Sequence, residues 1–154
     1  MNRELEELYQ AVILDHNRSP RNFHLMDGAT SHAEGSNPLC GDNYIVWLRV
    51  ENGVITDASF QGSGCAISKA SASLMTTAVK GKSVAEAEVL FERFHEMLTG
   101  GSGNLTGMPS GVKALSGVSA FPMRVKCATL SWHAMKEALT QPQIDPAGQE
   151  PAQP

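Results

Sequence analysis

The dipeptide Asn52-Gly53 is the feature that most restricts how this chain can fold. It lies between two runs rich in β-branched and aromatic residues, Asn43 to Val50 and Val54 to Phe60. Asn-Gly favours a two-residue turn in which both residues have positive φ, so the pattern predicts an antiparallel hairpin. Four alternate residues of the first run are apolar and would share one buried face of the sheet: Tyr44, Val46, Leu48 and Val50.

Apolar residues that recur every three or four positions predict a helix on either side of this hairpin. The first helix extends from about Glu4 to His16, and Arg18 to Asn22 then interrupts the pattern. The second opens at Cys65 and continues to Lys80 through an Ala/Ser-rich segment. Gly81 follows at the position where glycine commonly ends a helix.

The last third of the sequence predicts further helices. Ser83-Val-Ala-Glu86 fits a capping box and starts a helix towards Leu98. A glycine-rich loop over residues 100–107 follows, then a short piece with apolar spacing, and a final helix begins after Pro122. The order predicts an α+β domain with an N-terminal helix, a small antiparallel sheet of about three strands, and helices packed on one face of that sheet.

Length and composition predict one domain over residues 1–140. A chain of 154 residues with 42% hydrophobic residues is sufficient for a single core. Residues 141–154 hold four of the eight prolines and almost no apolar side chains, so we expect a disordered, Pro-rich tail.

Charge and hydropathy exclude two classes of partner. The formal net charge is -4, and no Lys/Arg cluster exceeds two residues, which argues against nucleic acid. No apolar run approaches the roughly 18 residues of a membrane span. The charged first ten residues do not resemble a signal peptide, so we expect a soluble, cytoplasmic protein without a membrane partner.

The three cysteines are the candidate functional residues. Cys40 lies in the motif Asn37-Pro-Leu-Cys-Gly-Asp42, where Gly41 allows the chain to turn tightly. Such a turn would let the Cys40 thiolate and the Asp42 carboxylate converge on one point. Taken alone, the motif also fits a loop cysteine next to an aspartate that stabilises its own turn.

The other two cysteines have surroundings that stabilise a thiolate. Cys65 opens a predicted helix, where unpaired N–H groups and the helix dipole favour an anion. Cys127 follows the cations Arg124 and Lys126. The alternative is that Cys65 packs at a helix cap and Cys127 is a buried helix residue. Gathered together with Asp42, three thiolates and a carboxylate form a tetrahedral S3O set suited to zinc, or to iron with sulfide.

Five blocks of the sequence carry a recognisable pattern: Leu8-Tyr-Gln-Ala-Val-Ile-Leu-Asp-His16, Ser19-Pro-Arg-Asn22, Asn37-Pro-Leu-Cys-Gly-Asp42, Gly62 to Ser73 and Phe121 to Trp132. Together they resemble the SufU branch of the U-type iron-sulfur scaffold family, over about Leu5 to Leu139. The IscU branch has a histidine immediately before its third cysteine, whereas this chain has Lys126, and residues 100–120 resemble a SufU-type insertion.

The resemblance implies a metal site with the ligands Cys40, Asp42, Cys65 and Cys127. It also implies zinc as the ion and a PLP-dependent, SufS-like cysteine desulfurase as the partner that supplies persulfide sulfur. Cys40 is the expected acceptor, because a Pro/Gly loop can move whereas Cys65 and Cys127 lie on helices. The expected role is zinc-dependent sulfur transfer for iron-sulfur cluster assembly, as a sulfurtransferase that acts with its partner enzyme and serves downstream assembly or client proteins.

Two other functions fit the same residues. The chain could be a scaffold on which a [2Fe-2S] or [4Fe-4S] cluster forms, with Asp42 as the oxygen ligand that makes the cluster easy to transfer. Alternatively, the metal could be structural in a domain with a separate interaction role. The remaining polar residues predict no site: the Ser68 to Ser73 stretch indicates close helix packing, and surface or turn positions are expected for His16, His24, His32, His95 and His133.

Overall fold

One helix, three consecutive strands and then further helices follow one another along residues 3–100 and 107–141, the part of the chain that this computed structural model describes. The predicted α+β class is confirmed. Most of the predicted loop over 100–107, and the predicted disordered tail beyond Gln141, lie outside the described residues, so the division at residue 140 stays a prediction. The elements are α1 (Arg3–Arg18), β1 (Ser31–Asn37), β2 (Asp42–Glu51), β3 (Val54–Ser63), α2 (Ala66–Val79), α3 (Val84–Thr99), α4 (Ser110–Ala114), a 3₁₀ helix (Leu115–Ala120) and α5 (Pro122–Thr140).

The predicted hairpin is confirmed. Asn52 and Gly53 have φ values of 52° and 76°, and they connect β2 to β3 in an antiparallel pair. Tyr44, Val46 and Leu48 are almost fully buried on the face that the alternation predicted. Because the turn fixes the register, the first residues of β2 lie beside the last residues of β3.

Strand β1 is the remaining strand of the sheet. Its sequence is mostly polar, and its residue pattern did not predict a strand. It pairs antiparallel with β2, which gives the sheet order β1-β2-β3. Helix α5 packs against both β1 and β2. A Cβ atom on Gly35 of β1 would lie 3.1 Å from the side chain of Leu130, so α5 approaches this strand closely. The formation of β1 therefore depends on β2 and α5 beside it, since its own side chains do not favour a strand.

The ends of the helices follow local chemistry that the sequence predicted. Cys65 is the N-cap residue of α2, and Gly81 follows that helix with a φ of 87°. The Ser83 and Glu86 side chains form the reciprocal capping box at the start of α3. Pro122 occupies the first turn of α5, where its missing N–H has no helical partner to lose.

The core lies between the sheet and the helices packed on one of its faces. Trp132 of α5 stacks on Phe94 of α3 with a centroid distance of 4.1 Å. Its Nε1–H donates to the buried Ser71 Oγ, which in turn donates to the carbonyl of Ala128. Among residues 3–100 and 107–141, no helix has the length and hydropathy of a membrane span.

Candidate metal centre

The hairpin brings Asp42 next to Cys65, although 22 residues separate them in the sequence. Asp42 is the first residue of β2, and Asn43 pairs with Ser63 at the end of β3. The chain then continues through Gly64 to Cys65, whose backbone N–H donates to Asp42 Oδ1 at 2.9 Å. The distant residues of the predicted site are thus joined by strand register.

Cys40 lies in the tight turn that connects β1 to β2. Its N–H donates to the carbonyl of Asn37 at 3.1 Å, and Gly41 has a φ of 72°, as the sequence predicted for a turn at this point. Because α5 packs on β1 and β2, it carries Cys127 to the same end of the sheet. The sulfur atoms of Cys127 and Cys40 are 3.3 Å apart.

Three of the four predicted ligands converge. A carboxylate oxygen of Asp42 and the sulfur atoms of Cys40 and Cys127 all lie within 4.8 Å of one another. Asp42 and Cys127 are buried, while Cys40 is partly exposed. Cys127 lies in the second turn of α5.

The fourth predicted ligand, Cys65, does not belong to this group of three. Its sulfur accepts the backbone N–H of Ser68 at 3.4 Å and caps α2. The capping alternative raised by the sequence therefore describes the observed contact. Its assignment as a ligand stays a prediction, as do those of the other three residues.

The Asp42 carboxylate provides the test of whether these residues suit a cation. Oδ1 accepts two hydrogen bonds, from Cys65 N–H and from Ser68 Oγ. Oδ2 is buried and has no hydrogen-bond partner in the described residues. A buried carboxylate oxygen without a donor is costly, and a cation bound to the neighbouring sulfurs would compensate it. The donor set of two sulfurs and one oxygen suits zinc, which takes both ligand types.

Electrostatics around the group also favour a cation. Burial raises the pKa of the Cys127 thiol, and the neighbouring Cys40 and Asp42 raise it further. The pKa of Arg124 is raised because its guanidinium hydrogen-bonds Cys127 and lies near Cys65. Clustered acidic groups need positive charge to ionise together, and Arg124 supplies part of it.

Cys40 opens onto a hollow of about 200 Å³ whose lining is mostly apolar. Two of its lining residues, Leu39 and Met123, are 83% and 78% exposed. Lys126 lines the same hollow. An approaching group can therefore reach Cys40 from this side, whereas Cys127 lies buried behind it.

Sequence reasoning missed Ser68 and the hydroxyl of Tyr44. The Ser68 to Ser73 stretch does pack closely at Ser71 and Ser73, but Ser68 Oγ lies 3.1 Å from both Asp42 Oδ1 and the Tyr44 hydroxyl. Burial raises the pKa of Tyr44 to about 12. The signal that could have identified Ser68 is its position three residues after an N-cap, where a side chain can reach back over the helix start.

The expectation for His16 was wrong. This residue lies near the end of α1 and is buried, and its Nδ1 is 2.7 Å from Ser73 Oγ. Ser73 Oγ also accepts the backbone N–H of Arg21, so its single proton is available to His16. The histidine is part of the contact between α1 and α2, not of the candidate centre.

Comparison with known proteins decides the family. Residues 8–143 match the model of the NifU-like N terminal domain. The chain belongs to this family. This confirms the resemblance found in the sequence motifs.

Two similar members of the family are named for different functions. The zinc-dependent sulfurtransferase SufU of Bacillus subtilis is 39% identical over 140 residues, which cover 91% of this chain and 95% of that protein. The iron-sulfur cluster assembly scaffold protein IscU of Streptococcus pyogenes is 40% identical over 136 residues, covering 88% of this chain and 85% of that protein. The family includes both a sulfurtransferase and a scaffold at nearly equal identity.

Solved structures confirm the family fold. A candidate iron-sulfur cluster assembly scaffold protein for the SUF system, from Fervidobacterium islandicum, superposes with a TM-score of 0.80 at 29% identity, covering 88% of this chain and 98% of that one. The N-terminal part of a NifU-like protein from Brucella abortus gives a TM-score of 0.74 at 23% identity, covering 88% of this chain and 94% of that one. The second likeness bears on the fold alone.

Proposed function

We propose that this protein is a zinc-dependent acceptor of persulfide sulfur in iron-sulfur cluster assembly, acting in the cytoplasm with a PLP-dependent cysteine desulfurase. The observation that carries the proposal is the meeting of two cysteine sulfurs with a buried carboxylate within 4.8 Å. The Bacillus subtilis relative, named a zinc-dependent sulfurtransferase, supports it. Downstream assembly or client proteins would receive the sulfur.

Cys40, Asp42 and Cys127 would hold the zinc, and Cys65 would complete the set by turning its sulfur away from the Ser68 N–H. Bound zinc would keep the thiols deprotonated at neutral pH and so store Cys40 as a thiolate. Asp42 is the hardest donor of the four and the one a thiophilic ion exchanges most readily. The set is therefore suited to ligand exchange more than to a sealed structural site.

Cys40 is the residue that accepts sulfur in this proposal. It is partly exposed on the Gly41 turn, while Cys127 is fully buried within α5. The Cys40 thiolate attacks the outer sulfur of the partner's persulfide, and a new S–S bond forms on Cys40. The partner's own S–S bond breaks, and its cysteine leaves with the electron pair as a thiolate. Arg124, beside Cys127, stabilises negative charge at this end of the domain.

The test combines the zinc-loaded protein with its cognate desulfurase and L-cysteine. We expect desulfurase turnover to rise, and mass spectrometry of trapped peptides to find one added sulfur atom on Cys40. Cys40→Ser should abolish both effects. A desulfurase whose turnover is unchanged by the zinc-loaded protein would overturn the proposal.

Cys65 offers a matched pair of variants for its own assignment. Cys65→Ser keeps a side-chain acceptor for the Ser68 N–H, whereas Cys65→Ala removes it. If Cys65 is a ligand, both variants lose zinc affinity, while Cys65→Ala alone loses about 1 kcal/mol of cap stability. Full zinc affinity in both variants would remove Cys65 from the ligand set.

A second candidate function is a scaffold that assembles a [2Fe-2S] or [4Fe-4S] cluster. The Streptococcus pyogenes relative carries that name, and cysteine sulfurs with one carboxylate oxygen permit a labile cluster. Anaerobic reconstitution followed by complete transfer to an apo-ferredoxin would favour it. Failure to hold iron while zinc stays bound would exclude the scaffold function. Lys126, at the position where the IscU branch has a histidine, favours sulfur transfer.

A purely structural metal makes a different prediction about Asp42. In that case Asp42→Ala would unfold the protein as thoroughly as loss of a cysteine. A folded Asp42→Ala protein that no longer accepts sulfur would rule it out.

A further inference from the structure

The Ser68 hydroxyl lies at the centre of the contacts around Asp42. Its Oγ is 3.1 Å from Asp42 Oδ1, 3.0 Å from the Cys65 carbonyl and 3.1 Å from the Tyr44 hydroxyl. Ser68 is 1% exposed, so water does not compete for these bonds. Its backbone N–H separately donates to the Cys65 sulfur, which caps the helix. One residue therefore contacts two of the four predicted ligands.

Ser68 has a single hydroxyl proton and two acceptors that compete for it. The Cys65 carbonyl is the local helical acceptor, and the Asp42 carboxylate is the charged one. An ionised acceptor forms the stronger hydrogen bond, which favours donation to Asp42. The protonated Tyr44 hydroxyl can then donate to the free lone pair of Ser68 Oγ, giving the chain Tyr44 to Ser68 to Asp42.

This series of hydrogen bonds determines which oxygen of Asp42 is available to a metal ion. Oδ1 is occupied by the Ser68 hydroxyl and the Cys65 N–H, whereas Oδ2 is buried and has no partner within the described part of the chain. A carboxylate held in this way presents one oxygen and cannot rotate freely. Hydrogen bonds of this kind to a ligating carboxylate determine how tightly a metal is held.

We propose that Ser68 is a positioning residue for the metal, which holds Asp42 Oδ1 so that only Oδ2 is offered to the ion and thereby slows release of the ion. This inference rests on the proposed function, since it requires that Asp42 bind zinc. It assigns to the first turn of α2 a control over ligand exchange at Asp42, which lies on β2.

The test measures the rate at which zinc passes from the folded protein to a chromogenic chelator in Ser68→Ala. That variant keeps the backbone N–H that donates to the Cys65 sulfur but loses the hydroxyl. Removing a hydrogen-bond partner of a metal ligand usually lowers metal affinity by roughly 10- to 100-fold, and we expect this loss to be expressed as faster zinc release. In the cobalt-substituted protein, the sulfur-to-metal charge-transfer bands should persist while the ligand-field bands shift.

Two further variants separate positioning from general destabilisation. Ser73→Ala is the matched control: it removes a buried hydroxyl of the same helix, bonded to His16 and Arg21 N–H, and should release zinc at the wild-type rate. Tyr44→Phe should accelerate release less than Ser68→Ala does. The double variant should match Ser68→Ala, because the Tyr44 hydroxyl acts through Ser68.

Wild-type zinc release in a folded Ser68→Ala protein would overturn the inference, as would equal acceleration in Ser73→Ala. If Ser68→Ala does not fold, Tyr44→Phe is measured alone and in a protein that also carries Asp42→Asn. Additive effects of these two substitutions on the rate of zinc release would then overturn the inference. A wild-type protein that binds no zinc would defeat the proposed function itself. A wild-type protein that binds zinc and accepts sulfur, with Ser68→Ala indistinguishable from it, would defeat only the role of Ser68.

Discussion

Gly64 gives the sharpest structural test of how the candidate centre is packed. A Cβ atom built on this residue would collide with Asp42 Oδ1, and it would lie 2.5 Å from Ser68 Oγ and 2.8 Å from the Tyr44 hydroxyl. Atoms this close must move apart. The φ of Gly64 lies outside the left-handed region, so crowding alone accounts for the effect of Gly64→Ala.

The expected size of the effect follows from overpacking. Inserting a methyl group into a well-packed site costs about 1–3 kcal/mol, which for a chain of this length lowers Tm by roughly 2–12 °C. The displaced atoms are those that hold Asp42, so zinc release to a chelator should also accelerate by about tenfold or more. Thermal denaturation and the chelator assay on the same protein measure both quantities.

Gly100→Ala is the control for the substitution itself. Gly100 is the C-cap of α3 and lies in the right-handed region, and among the described residues its Cβ would meet no atom nearer than 3.5 Å. We expect its Tm and zinc release to match the wild type. If Gly64→Ala leaves both quantities unchanged, or if Gly100→Ala alters them equally, then the close packing of Asp42, Ser68 and Tyr44 around Gly64 is refuted.

Three further predictions concern the domain that supports the centre. Ser71→Ala leaves the Trp132 Nε1–H without its acceptor and should lower the free energy of unfolding by about 1–3 kcal/mol, measured with urea. Burial lowers the pKa of His16, so the unfolded chain binds a proton more readily than the folded protein does, and the free energy of unfolding falls as the pH drops below about 6.5. His16→Asn should reduce the slope of that free energy against pH, and an unchanged slope would contradict the prediction. Ser83→Ala should cost about 1 kcal/mol through loss of the α3 cap, with zinc release unaltered.

Most of the fold could be predicted because its signals are local. The Asn52-Gly53 turn, the Ser83 capping box and Gly81 after α2 each depend on the conformational preferences of one or two residues. Strand β1 could not be predicted from its own residues, because it is a strand through its backbone pairing with β2. Its alternation of buried and exposed residues arises only because α5 packs against it.

The candidate centre was predictable in part. The motif around Cys40 and Asp42 is local, and its tight turn at Gly41 is confirmed. The sequence also raised both roles for Cys65, ligand and cap, and the observed contact is the cap. The position of Ser68 three residues after an N-cap indicates that its side chain can reach back over the helix start, but its contact with Asp42 depends on how the start of β2 packs on the start of α2.

The hairpin, the approximate extent of the main helices and the chemical types of the candidate ligands follow from the amino-acid sequence alone, because they depend on short-range preferences and side-chain chemistry. Three features of the site could be seen only in the folded domain: Cys127 of α5 meets Cys40, Cys65 caps a helix, and Asp42 has one buried oxygen without a donor among the described residues. Distances between residues far apart in the chain depend on how sheet and helices pack, and packing is a property of the whole domain.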